Sequence, residues 1–107
     1  MIAPIDDANH DLAAALLARG FSGPSFAFWD DALNRIKRLG GNAELGLPPG
    51  QMMYANDQPV GIALTIASQR QDRAAGKRVI INFAAWYIEP EHRWRAAVMA
   101  RIRQAIR

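Results

Sequence analysis

The stretch Val79-Ile-Ile-Asn-Phe-Ala-Ala-Trp-Tyr-Ile88, followed by Glu89-Pro-Glu-His-Arg-Trp-Arg95, decides how the rest of the sequence is read. A mainly apolar run rich in β-branched and aromatic residues, without glycine or proline, predicts a strand. Its alternating sets (Val79, Ile81, Phe83, Ala85, Tyr87 and Ile80, Ala84, Trp86, Ile88) are both apolar, so both faces are expected to be covered. Asn82 is its one plainly polar member and is expected to be a buried, hydrogen-bonded amide. Pro90 closes the strand. Arg93 and Arg95 then stand where a helix is expected to begin, and free N–H groups and the helix dipole favour an anion there.

Outward from this stretch, Gln69 to Lys77 is polar, charged and glycine-bearing and predicts an exposed hairpin connection. Before it, Gln51–Ala55 and Val60–Ser68 read as strands around an Asn56–Pro59 turn, an antiparallel hairpin with Gly61 marking a bulge or a close backbone approach. Asn42 to Gly50 is rich in glycine and proline and predicts a loop. Two helices precede it. One runs from Ala8 to Arg19 behind Asp6-Asp7 and ahead of Gly20, with Leu12, Ala13, Ala15, Leu16 and Leu17 at helical spacing. After the breaker Phe21–Pro24, Ser25 caps a second helix with Phe28, Trp29, Leu33, Ile36 and Leu39, ended by Gly40-Gly41. Phe26, Phe28 and Trp29 are expected in the core. Met1–Ile5 reads as a first edge strand, and the sequence from Trp94 onward as a final helix.

Half of the 107 residues are hydrophobic, enough for one domain with a modest core. The absence of cysteine excludes disulfides, thiolate metal sites and a cysteine nucleophile. No run approaches the roughly 18 apolar residues of a membrane span, no basic N-terminal region precedes an apolar one, and a cytoplasmic protein is expected. Residues 1–88 balance eight Lys/Arg against eight Asp/Glu, whereas 89–107 hold five Arg against two Glu. Those five arginines carry no nucleic-acid-binding motif, so nucleic acid is not an expected partner. Two separated histidines, His10 and His92, do not make a metal site.

The order β-α-α-β-β-β-α, the phrase Gln58-Pro-Val-Gly-Ile-Ala-Leu64 and the phrase Trp86-Tyr-Ile-Glu-Pro-Glu-His-Arg93 before an Ala-rich helix resemble the first part of the GCN5-related N-acetyltransferases (GNAT). That resemblance implies one α+β domain over residues 1–107, a mainly antiparallel sheet flanked by helices and lacking the family's C-terminal strands. It implies acyl transfer from acetyl-CoA or another acyl-CoA to an amine, the acceptor being a small molecule or a protein. By the resemblance, Trp86, Tyr87 and Ile88 are the pantetheine positions, and Arg93, Trp94, Arg95, Ala96, Ala97 and Val98 form the pyrophosphate turn. The usual small residues of that turn are replaced by Ala96 and Val98.

No carboxylate lies between Val79 and Ile88 to serve as a base, and Glu89, Glu91, His10 and His92 carry no signal that selects one of them. The catalytic residues are therefore unassigned. If the family's later strands are missing, the edge of Val79–Ile88 is expected to pair, making a homo-oligomer. The alternative to an enzyme is a non-catalytic module of the same fold that self-associates or binds a partner through that edge.

Overall fold

The computed structural model describes residues 1–74 and 76–95. Strands β1 (Ile2–Pro4), β2 (Gly50–Ala55), β3 (Gln58–Asp72) and β4 (Gly76–Ile88) form a sheet in the order β1-β2-β3-β4, each pair antiparallel. Between β1 and β2 run α1 (His10–Gly20), α2 (Phe26–Arg38) and the short α3 (Gly40–Leu45). A 3-10 turn, Pro90–Arg95, follows β4. The helix expected from Trp94 onward otherwise falls on residues 96–107, outside the described residues.

α1 starts at His10 and not at Ala8 because the Asp6 carboxylate accepts from the Ala8 and Asn9 N–H groups, at 2.9 and 3.1 Å, which holds residues 6–9 in a turn. Its buried side is Ala13, Ala14, Leu16 and Leu17, while Leu12 is left 47% exposed. α2 begins as expected, with the Ser25 hydroxyl accepting from the Phe28 N–H. Leu33 is its buried anchor. Phe26 and Phe28 correct the expectation of core aromatics: they are 44% and 54% exposed. Trp29 packs at the margin of the core with Phe21, ring centroids 5.5 Å apart.

Helix α3 replaces the first half of the expected loop. Leu39 is extended, which ends α2, and the chain re-enters a helical turn at Gly40. A Cβ on Gly41 would overlap the Ala67 carbonyl, so glycine lets α3 lie directly on β3. Asn42 is buried there and bonds the backbone of Pro48, Thr65 and Ala67.

The β2–β3 hairpin turns through Asn56 and Asp57, both at positive φ, the pair that a tight two-residue hairpin needs. The register shifts between Met53 and Tyr54, leaving Val60 as the extra residue one position before Gly61. β3 and β4 are longer than the sequence predicts, because Gln69–Asp72 pairs with Gly76–Val79. The polar connection is thus a two-stranded ribbon and not a loop. A second shift lies between Leu64 and Thr65, paired with Ala85 and Phe83, so Ala84 bulges from β4.

That bulge divides β4 between two sides of the sheet. Ala85 and Tyr87 pack on the main core of Ile5, Ala13, Ala14, Leu16, Leu17, Leu33, Met52, Ile62 and Leu64. Phe83 packs on the other side, with Met53, Val60, Ala63 and Ile88. Each of the fully buried leucines contributes about 1.5–3 kcal/mol by leaving water. The expectation that both faces of β4 are covered is corrected: Val79, Asn82, Ala84 and Trp86 are exposed, and Ile88 alone is buried. Asn82 is accordingly not a buried amide. No helix among the described residues is long and apolar enough to cross a membrane.

Candidate functional site

β4 delivers its last residues to the end of the sheet, and the backbone beyond it stays in register for one more bond, from the Glu89 N–H to the Val60 carbonyl at 2.7 Å. The 3-10 turn then folds back: the His92 N–H donates to the Glu89 carbonyl, and Arg93 Nε donates to the Ile88 carbonyl at 3.4 Å. Trp86, Tyr87, Ile88 and Arg93 thereby line one open depression of about 340 Å³. Trp86 is 38% exposed and stands edge-on to Phe83, centroids 6.0 Å apart. It forms an apolar wall with Ile88, and Arg93 brings a cation.

Tyr87 is positioned from the helix side. Its ring lies against Gly20, where a Cβ would overlap it, and 6.2 Å from the ring of Phe21. The phenol donates to Glu89 Oε2 at 2.8 Å, while Glu89 Oε1 meets Arg19 at 2.7 Å. Burial pushes the Tyr87 phenol above its ordinary value of 10.0, the bond to Glu89 and that carboxylate's charge add to the rise, and Arg19 and Arg93 oppose it. Tyr87 is thus a neutral donor at physiological pH. Glu89 has both oxygens engaged and acts as the clamp between α1 and β4. Among the described residues, His92 Nδ1 is buried with no hydrogen-bond partner, an exception in a folded protein.

The fold brings four of the sequence-nominated residues, Trp86, Tyr87, Ile88 and Arg93, around one depression. Trp94 and Arg95 belong to the 3-10 turn; Ala96, Ala97 and Val98 lie outside the described residues. Arg19, Gly20 and Phe21 were not nominated, since nothing local in α1 announces a partner in β4.

A second polar cluster joins α1 to α2. His10, 8% exposed, has Nε2 2.6 Å from Asp30 and Nδ1 2.7 Å from Lys37 Nζ, which also reaches Asp7 at 3.2 Å. Donor matching orders the chain: Lys37 donates to Asp7 and to His10, and His10 donates to Asp30. His10, Asp11 and Asp30 place ligand-type atoms within 4.8 Å of one another, a grouping the sequence did not signal. A metal on Nε2 would require a proton on Nδ1, which faces the Lys37 ammonium, so these donors fit an ion-pair network better than a metal.

Comparison with solved structures places this architecture. Two aminoglycoside antibiotic 6′-N-acetyltransferases, from Acinetobacter haemolyticus and Acinetobacter baumannii, superpose with TM-scores of 0.67 and 0.65 at 17% and 10% identity. The match covers 98% of this chain in both cases, and 68% and 67% of theirs. The chain has the GNAT fold. An acetyltransferase from Vibrio fischeri matches at TM-score 0.60 and 15% identity, over 99% of this chain and 85% of its own. No family model and no curated protein matches the sequence. The GNAT likeness is therefore one of backbone, extending over nearly the whole chain, and it accounts for the antiparallel four-stranded sheet and its flanking helices.

Proposed function

We propose that residues 1–107 are one GNAT-like domain that transfers an acyl group from acetyl-CoA, or another acyl-CoA, to an amine, in the cytoplasm. The carrying observation is the depression lined by Trp86, Tyr87, Ile88 and Arg93 at the end of β4. Its volume lies in the range of small-molecule sites. The residues present fit the cofactor. Trp86 and Ile88 supply apolar contact for the pantetheine arm. β4 has a strand neighbour on one side only among the described residues, so alternate backbone groups on its other edge are free to bond the arm's amides. Arg93 supplies charge and hydrogen bonding for the diphosphate. Ala96, Ala97 and Val98 complete the proposed turn.

Bound acyl-CoA brings the activated thioester, so direct attack by the amine needs orientation and charge stabilisation more than a protein nucleophile. In this reading the β4 edge orients, Arg93 neutralises, and the Tyr87–Glu89–Arg19 clamp fixes the wall of the site. The acceptor is an amine on a small molecule or a protein; the naming of two structural neighbours as aminoglycoside 6′-N-acetyltransferases supports an amine acceptor. Calorimetric titration with acetyl-CoA, beside ATP as a control for attraction of polyphosphates, tests the reading. Selective binding of acetyl-CoA, weakened about tenfold by Arg93→Ala, is expected from loss of one charge-assisted contact. Equal binding of ATP, or no binding, overturns it.

A second reading, a non-catalytic module of the same fold that pairs through β4, is favoured by that same edge.

A further inference from the structure

The polar cluster between α1 and α2 has a chemical order that the depression at the end of β4 does not use. Asp30 and Lys37 stand two turns apart on one face of α2, and the ring of His10, the first residue of α1, fills the interval between their side chains. Lys37 Nζ lies 2.7 Å from Nδ1, and Nε2 lies 2.6 Å from the Asp30 carboxylate. An ammonium can only donate, so Nδ1 accepts and Nε2 carries the proton that Asp30 holds in place. This is the order nucleophile, base, orienting carboxylate, with an amine in the first position.

The amine also stands beside open space. Lys37, Asp6 and Asp7 border a depression of about 450 Å³ whose apolar side is formed by Pro4, Leu47 and Pro48. Asp7 is the carboxylate that Nζ meets at 3.2 Å, so the amine lies at the margin of the depression. With its side chain 16% exposed, Lys37 has a packed stem that fixes where the amine stands. Pro4 belongs to β1, the opposite edge of the described sheet from β4, and the volume is that of a small-molecule site.

We propose that Lys37 is an imine-forming amine that captures a small aldehyde or ketone with an apolar body. His10 Nδ1 takes a proton from the Lys37 ammonium, and the freed Nζ lone pair forms a bond to the carbonyl carbon as the C=O π pair moves to oxygen. A proton shifts from Nζ to that oxygen, giving the carbinolamine. The His10 imidazolium then returns its proton to the hydroxyl, the C–O bond breaks, water leaves, and the nitrogen lone pair closes the C=N bond of an iminium. Nothing is oxidised or reduced, and the positive charge that began on Nζ ends on it. That conservation of charge selects a carbonyl compound over an acyl thioester. Acylation would leave a neutral amide beside Asp7, and the two carboxylates at the rim disfavour the diphosphate of coenzyme A, whereas an iminium keeps the pairing with Asp7. His10 is the catalytic base of this step and Asp30 its positioning residue.

The whole chain holds two lysines, and Lys77, exposed on β4, is an internal control for unassisted reaction. Butanal with sodium cyanoborohydride, which reduces an imine to a stable secondary amine, followed by peptide mass spectrometry, reads the rate at each lysine. Lys37 is expected to be alkylated at least about tenfold faster than Lys77. His10→Gln and Asp30→Asn, each shown folded by a thermal melt, are expected to slow Lys37 by about a hundredfold and about tenfold without changing Lys77, and Asp30→Glu to restore the rate. The ratio of the two lysines in the parent protein decides independently of whether any variant folds. Lys77 alkylated as fast as Lys37, or a folded His10→Gln protein that captures butanal at the parent rate, would overturn the proposal. Acetylation of Lys37 by acetyl-CoA without a butanal adduct would make this amine an acyl acceptor and equally overturn it.

Discussion

Asn42 illustrates how much one side chain holds in a small domain. At 2% exposure it donates to the Pro48 and Thr65 carbonyls, at 3.0 and 2.9 Å, and accepts from the Ala67 N–H at 2.8 Å. Truncation leaves three backbone groups without partners in a buried place, so Asn42→Ala is expected to lower stability by about 2–4 kcal/mol and the melting temperature by about 10 °C or more. Asn42→Asp is expected to be no better, since its second oxygen would face two carbonyls. Urea titration of the three proteins checks this; a loss below about 1 kcal/mol for the alanine variant would mean that water takes over the bonds. None of this was legible locally. Gly40-Gly41 and the prolines at 48 and 49 read as a loop, and the partners of Asn42 lie in β3. Asn82 erred the other way: an amide in an apolar run reads as buried, but it sits on the ribbon, where it is exposed.

Among the elements, β4 is legible as a strand because β-branched and aromatic residues dominate an apolar run without a breaker, and the β2–β3 hairpin because Asn56-Asp57 suits positive φ. The outer ribbon was missed because hydrogen bonding of a ladder does not depend on side-chain polarity, so an exposed ribbon has the composition of a loop. The four residues around the depression were legible from strand and turn alone; the clamp from Arg19 through Glu89 to Tyr87 was not. That clamp predicts a pH effect. The folded Tyr87 value lies above 10.0, so folding favours the protonated phenol, and the resulting stability is present below the unfolded value and is lost as pH rises through the folded one. The stability difference between the parent and Tyr87→Phe, about 1 kcal/mol at neutral pH, is expected to shrink above about pH 10. Denaturant titrations of both proteins across that range would show it, and a difference independent of pH would sink the clamp.

For the whole molecule the decisive feature is the outer edge of β4. The strand is long, it closes the sheet on one side among the described residues, and Ala84 and Trp86 are exposed along it. The chain spans 68% and 67% of the two aminoglycoside acetyltransferases whose backbone it shares. A strand edge of this length with no strand beside it among the described residues either pairs with another chain or binds a ligand along it. In isolation the 107-residue protein is therefore expected to self-associate through β4 as concentration rises, by sedimentation velocity. Acetyl-CoA is expected to oppose that association, since pairing and the pantetheine arm use the same backbone groups. Ala84→Lys sets a charge on the edge at the bulge and is expected to yield a monomer without unfolding, because Ala84 has no partner on β3. A strictly monomeric parent at high concentration would rule out edge pairing. Association that acetyl-CoA leaves unchanged would locate the contact away from the proposed cofactor edge, separating the enzyme reading from the interaction reading on one molecule.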